Sequence, residues 1–151
     1  MRAGSEALTL GVVAVVLSVL LSGCSDQATA ASSLATTSSN AAAAAQTASL
    51  SLGLANRGRL IPGVSSTALG DALLNLQKAD STLTGSQEPR GVRTLSAQAL
   101  ALVRQAEDVT QKAQDALASA DGSSAIGSLA ERLHRIALSL SKVEKSARAA
   151  S

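Results

Sequence analysis

From about residue 64 onward, apolar residues recur in alternating steps of three and four. Leu69, Ala72, Leu76, Ala79 and Leu83 follow this spacing between about 67 and 83, and Leu73 widens the stripe. Between about 94 and 120 the same spacing is kept by Leu95, Ala99, Leu102, Ala106, Val109, Ala113, Ala116 and Ala120. Between about 124 and 148 it is kept by Ile126, Leu129, Leu133, Ile136, Leu140, Val143 and Ala147, bordered by Ala130 and Ala137. A helix repeats every 3.6 residues, so a sustained three-four pattern places its apolar positions on one face and predicts coiled-coil-like packing. The expected fold class is all-α: a short three-helix bundle, or an antiparallel helical hairpin, with Ala/Leu seams. The expected interaction seam is Leu95, Leu102, Val109, Ile126, Leu129, Leu133, Ile136 and Leu140.

Punctuation between the stripes supports the same division. "SST" at 65–67 contains helix-start residues, and "TGSQEPRG" at 84–91 and "DGSS" at 121–124 contain breakers and N-cap types. The second predicted helix carries alanine in one whole seam column, at 99, 106, 113 and 120. Small contact residues let helix axes approach toward the low end of the ~8–10 Å range. The second and third predicted helices are therefore expected to pair antiparallel through Gly122. Asp108 and Lys112, Glu131 and Arg135, and Glu144 and Arg148 each place an acid four residues before a base. Such pairs add a few tenths of a kcal/mol, about 0.2–0.5. Asp121 near the start of the last helix, and Lys142, Lys145 and Arg148 near its end, suit the helix dipole.

The pattern fades before residue 64. "SDQATAASSLATTSSNAAAAAQTA", residues 25–48, offers little apolar surface to offset ordering entropy and reads as a disordered tether. As a flexible chain it would span roughly 27 Å r.m.s.. Its alanine tract favours a short nascent helix. In residues 49–54 Leu alternates with Ser and Gly as in a strand, and the same leucines also suit the end of an amphipathic helix running from the alanines. Gly53, Gly58, Pro62 and Gly63 argue against a long element, so residues 49–63 are expected to form a partly ordered linker or a docking segment. The expected division is residues 1–23, a leader; 24–63, the tether; and 64–151, the helical domain.

Composition narrows the possible chemistry. The 151 residues include no Phe, Tyr or Trp, so the core must be built from Leu, Val, Ile and Ala. The net charge of +2 is too small, and too dispersed, to suggest nucleic acid. One histidine, His134, lies just outside the apolar stripe, and one cysteine cannot form an internal disulfide. Several converging ligands are needed for a metal site, and none is expected. No G-x-S-x-G elbow, P-loop or dinucleotide motif is present, so an enzyme is not expected.

The cysteine follows an uncharged run, "LTLGVVAVVLSVLLSG", residues 8–23, after Arg2. That run is short for a bilayer span, which takes roughly 20 residues, and has the form of a signal-peptide core. Leu21-Ser22-Gly23-Cys24 at its end resembles the lipobox of bacterial lipoprotein precursors. The resemblance implies that signal peptidase II recognises Leu21, Ser22 and Gly23 and cuts before Cys24. Cys24 would carry an S-diacylglycerol and an N-acyl group, with no other cofactor. Two or more chains anchor stably, each buried methylene contributing about 0.8 kcal/mol.

The residue after Cys24 is Ser25 rather than Asp. Within the resembled class this implies the periplasmic face of the outer membrane in a two-membrane host, and the outer face of the cytoplasmic membrane otherwise. The expected function is a lipid-anchored helical adaptor or structural module of the cell envelope, partnered by an envelope protein or by itself. Two alternatives are a lipoprotein whose amphipathic helices bind lipid and a helical inhibitor of an envelope enzyme.

Overall fold

The structure, a computed structural model, describes the backbone of residues 6–119 and 123–151, and side chains from residue 26 onward except at 62 and 120–123. Its described residues form four α-helices: α1 (Glu6–Asn56), α2 (Pro62–Gly85), α3 (Arg93–Ala118) and α4 (Ser123–Ala149). The fold is all-α, as expected from the spacing. Four helices pack together where the stripes predicted three, and the additional one is α1.

Residues 26–56 are helical and occupy the core, which corrects the expectation of a disordered tether. Ala31, Leu34, Ser38, Ala41, Ala45, Ala48 and Leu52 repeat the three-four spacing, and each is 0–1% exposed. Ala35, Ala42 and Ser49 broaden this buried face. Alanine is the best helix former and loses no side-chain entropy on ordering. A stripe of Ala and Ser therefore makes a stable helix with little hydropathic contrast, provided that another surface covers it. The Ser/Leu alternation at 49–54 is helix, not strand.

Small side chains set how closely α1 approaches α4. The Ser49 hydroxyl donates to the Ala130 backbone carbonyl across the two helices at 2.8 Å. A serine reaches another helix's backbone only where both contact surfaces are small, and Ala45, Ala48, Ala130 and Ala137 supply such surfaces here. Leu133 and Leu140 fill the remaining space and are fully buried. Around the bundle α1 packs on α2 and α4, and α3 packs on the same two, leaving α1 and α3 mainly across a diagonal. All neighbours run antiparallel, as short connections require.

The turns carry out what their residues encode. Gly58, with φ +65°, ends α1 in a Schellman motif: the Gly58 amide donates to the Ala55 carbonyl and the Arg59 amide to the Leu54 carbonyl, each at 2.9 Å. Pro62 opens α2 at a position where its missing N–H costs nothing. The next connection ends at Val92, a fully buried residue that closes the core at the head of α3. At the same end, Gln27 of α1 packs on Gly91 so closely that a Cβ there would lie 2.7 Å from the Gln27 amide nitrogen. The bundle thus begins only three residues after Cys24. Gly122, Asp121 and Ala120 lie outside the described residues.

Within α2, Gly70 has ordinary φ and room for a side chain, the nearest atom to an added Cβ being Gln114 Nε2 at 3.8 Å. Gly70→Ala is expected to stabilise the protein by about 0.5–1 kcal/mol, because glycine is the costlier residue in a helix interior. A thermal or denaturant melt of the variant checks this.

Candidate functional site

Three places were singled out by the sequence: the lipobox, the interaction seam and the isolated histidine. The side chains of Leu21, Ser22, Gly23 and Cys24 lie outside the described residues. Among the described residues, no helix is long and apolar enough to cross a membrane.

The seam residues are brought together, but inside the molecule. Val109, Leu133 and Leu140 are fully buried, and Ile126, Leu129 and Ile136 are 7–9% exposed. Leu95 and Leu102 are only partly buried and flank the core. The buried face of α3 is instead Ser96, Ala99, Val103, Ala106, Val109, Thr110 and Ala113. Ala99, Ala106 and Ala113 of the alanine column are buried as expected, whereas Ser96 and Val103 are buried in place of Leu95 and Leu102, and Thr110 joins Val109. The shift follows from α3 having two neighbours, α2 and α4, where the expected hairpin gave it one. Thr110 is tolerated in that interior because its hydroxyl donates to the Ala106 carbonyl at 2.7 Å. Most of the predicted seam is thus core rather than surface.

The surface is sparsely cross-linked. Arg104 on α3 pairs with Asp80 on α2 at 2.8 Å, and the expected Asp108–Lys112 and Glu144–Arg148 pairs form at 2.7 and 2.8 Å. The expected Glu131–Arg135 pair does not form among the described residues, and neither does any ion pair of Arg57. His134 is exposed, with Nδ1 at 3.1 Å from Gln46 Oε1 on α1. Among the described residues no cluster of His, Cys, Asp and Glu is suited to hold a metal ion.

One carboxylate is perturbed. Burial between α2 and α3 raises the pKa of Glu107; the neighbouring Asp80 carboxylate raises it further, and Arg104 partly offsets both. Glu107 Oε1 is buried without a hydrogen-bond partner among the described residues. A carboxyl whose folded pKa is raised holds its proton more tightly in the folded state. Its stabilising contribution is present below the ordinary glutamate range and is lost as pH rises through the folded value. Glu107→Gln is therefore expected to raise Tm by about 1–3 °C at neutral pH. The gain should disappear in acid, where the wild-type carboxyl is already neutral. Melts of both proteins across that range check the sign.

Several open grooves remain among the described residues. One, about 920 Å³, lies where residues 26–33 of α1 meet the α2–α3 connection, beside Thr29, Glu88 and Arg93. A second, about 580 Å³, runs between α1 and α2 beside Asn40, Asp71 and Lys78. A third, about 420 Å³, lies between α1 and α4 beside Leu50, Gly53, Arg57 and Arg135. Sequence reasoning missed the third because its residues come from a segment read as linker and from the outer face of α4.

No protein-family model, curated protein or solved structure matches the chain.

Proposed function

We propose that the chain is a lipid-anchored protein of the bacterial cell envelope whose four-helix bundle acts as an adaptor or structural module rather than as an enzyme. The observation that carries this reading is Leu21-Ser22-Gly23-Cys24 at the end of an uncharged run, immediately before the part of α1 that enters the bundle. With Cys24 acylated, only two residues, Ser25 and Asp26, separate the lipidated cysteine from Gln27. The bundle would stand directly on the membrane surface, with α1 as a stiff post in place of a flexible leash. The α2–α3 connection would face the lipid, and the α1–α2 connection would lie about 40 Å away, one helix length of roughly 27 residues.

The adaptor reading is supported over a lipid-binding one by the state of the apolar stripes. Leu34, Leu69, Leu76, Leu133 and Leu140 are each 0–1% exposed. Presenting them to a membrane would require opening the whole core. A helical adaptor keeps its core closed and uses its outer faces.

The experiment is affinity capture of the tagged full-length protein from crosslinked native membranes, with metabolic labelling by a fatty-acid analogue and Cys24→Ala as control. Label on the wild type alone, together with enrichment of one envelope protein, is the expected result. Absence of label on Cys24 overturns the anchor. Recovery of lipids alone, beyond the anchor, overturns the adaptor.

A further inference from the structure

We propose that the α1–α4 groove near the α1–α2 connection is a docking site for an acidic peptide segment with apolar side chains, carried by a partner protein. Three features of this groove coincide. Its base is shallow because Ser49 and Ala130 are small and Gly53 has no side chain. Leu50 stands beside it 56% exposed, on a helix that buries Leu34 and Leu52 almost completely. Its rim carries Arg57 and Arg135, both exposed and, among the described residues, without an ion-pair partner.

Charge complementarity selects the occupant. Four exposed ionisable groups line the groove: Arg57, Arg135, Glu131 and His134. Two guanidiniums oppose one carboxylate, and the histidine is turned toward Gln46 through Nδ1, leaving Nε2 as a further polar contact. A guanidinium fork binds carboxylates in bidentate fashion and is weakly hydrated, so it loses less than an ammonium on being covered. The volume of about 420 Å³ accommodates a few side chains, at the small end of binding clefts. Leucine-like residues of the segment would cover Leu50 and fill the space above Gly53, while its carboxylates pair with Arg57 and Arg135.

The choice of a protein over a lipid headgroup rests on the anchoring reading, since the groove lies at the end of the bundle remote from Cys24. Binding itself does not depend on acylation. It is therefore measured on the full-length lipidated protein in non-ionic detergent and on the Cys24→Ala chain.

The probe is a short fluorescent peptide alternating Leu and Glu, compared with Leu/Lys and Ser/Glu peptides of equal length. Fluorescence anisotropy reads affinity, and backbone amide NMR shifts read position. The Leu/Glu peptide is expected to bind both forms of the chain at least about tenfold more tightly than either control. Its shifts should be confined to residues 49–57 and 130–135. Arg57→Glu/Arg135→Glu, which alters only exposed side chains, is expected to weaken it about tenfold with helicity unchanged. Gly53→Leu fills the base of the groove and is expected to do the same, an added Cβ meeting only Arg57 Nη2 at 3.8 Å.

Equal binding of the Ser/Glu peptide, shifts elsewhere on the bundle, or full binding by the charge-reversed protein would each overturn the proposal. So would displacement of the probe by anionic phosphatidylglycerol vesicles but not by neutral ones, which would mark the groove as a lipid contact.

Discussion

Ala45→Glu is expected to destabilise the protein by about 3–5 kcal/mol, the usual cost of an uncompensated buried charge. Ala45 is fully buried in the middle of the α1 stripe. Its neighbours on that face are Ala41, Ala42, Ala48 and Ser49, none of which provides a cation. The side chain must either ionise among alkyl groups or force α1 away from α4. Ala43→Glu, two residues away on the exposed side, is the control and should change stability by about 0.5 kcal/mol or less. If residues 25–48 were a tether, the two substitutions would be equivalent. A denaturant titration of both variants therefore decides whether α1 is part of the fold, and equal midpoints would refute the four-helix arrangement.

The second large effect is expected at Leu133. This side chain is fully buried in the core of the bundle. Truncation to alanine removes its transfer free energy and leaves a cavity, together worth about 2–5 kcal/mol. Without aromatic side chains, the largest fully buried groups are six leucines: 34, 52, 69, 76, 133 and 140. Each therefore carries a large share of a total that is about 5–15 kcal/mol for an ordinary domain. Leu138→Ala, five residues further along at a 51% exposed position, is expected to cost little. A thermal melt should show Leu133→Ala well below the wild type and Leu138→Ala close to it.

The apolar stripes of α2 and α4 were legible because their leucines and isoleucines contrast with charged neighbours. Leu69, Ala72, Leu76, Ala79 and Leu83, and the whole series from Ile126 to Ala147, are buried as their spacing predicts. The lone His134 was likewise read as lying outside the stripe, and it is exposed. The alanine column of α3 was legible, but its companion column was not. Leu95 and Leu102 are more hydrophobic than Ser96 and Thr110, and hydropathy ranks side chains without knowing which of them a second neighbouring helix will cover.

Helix α1 shows the same limit more sharply. The spacing of Ala31, Leu34, Ser38, Ala41, Ala45, Ala48 and Leu52 was present in the chain from the start. It was hidden because alanine and serine occupy the exposed positions as well, at Ser32, Ser33 and Ala43. Period is visible only where the two faces differ in polarity. A small-residue helix offers little apolar area of its own, and alone its ordering would not be repaid.

By itself, then, the sequence determined the all-α class, the stripes of α2 and α4, the buried alanines 99, 106 and 113 of α3, the breakers at Gly58, Pro62 and 84–91, and the resemblance around Cys24. Tertiary structure decided that residues 26–56 are a core helix, that α3 turns Ser96, Val103 and Thr110 inward, and that Leu50, Arg57 and Arg135 share one groove. The division has a physical cause. Backbone preference and hydrophobic contrast are local properties written residue by residue, whereas the value of a small side chain lies in how near it lets another helix come, and that exists only once the second helix is in place.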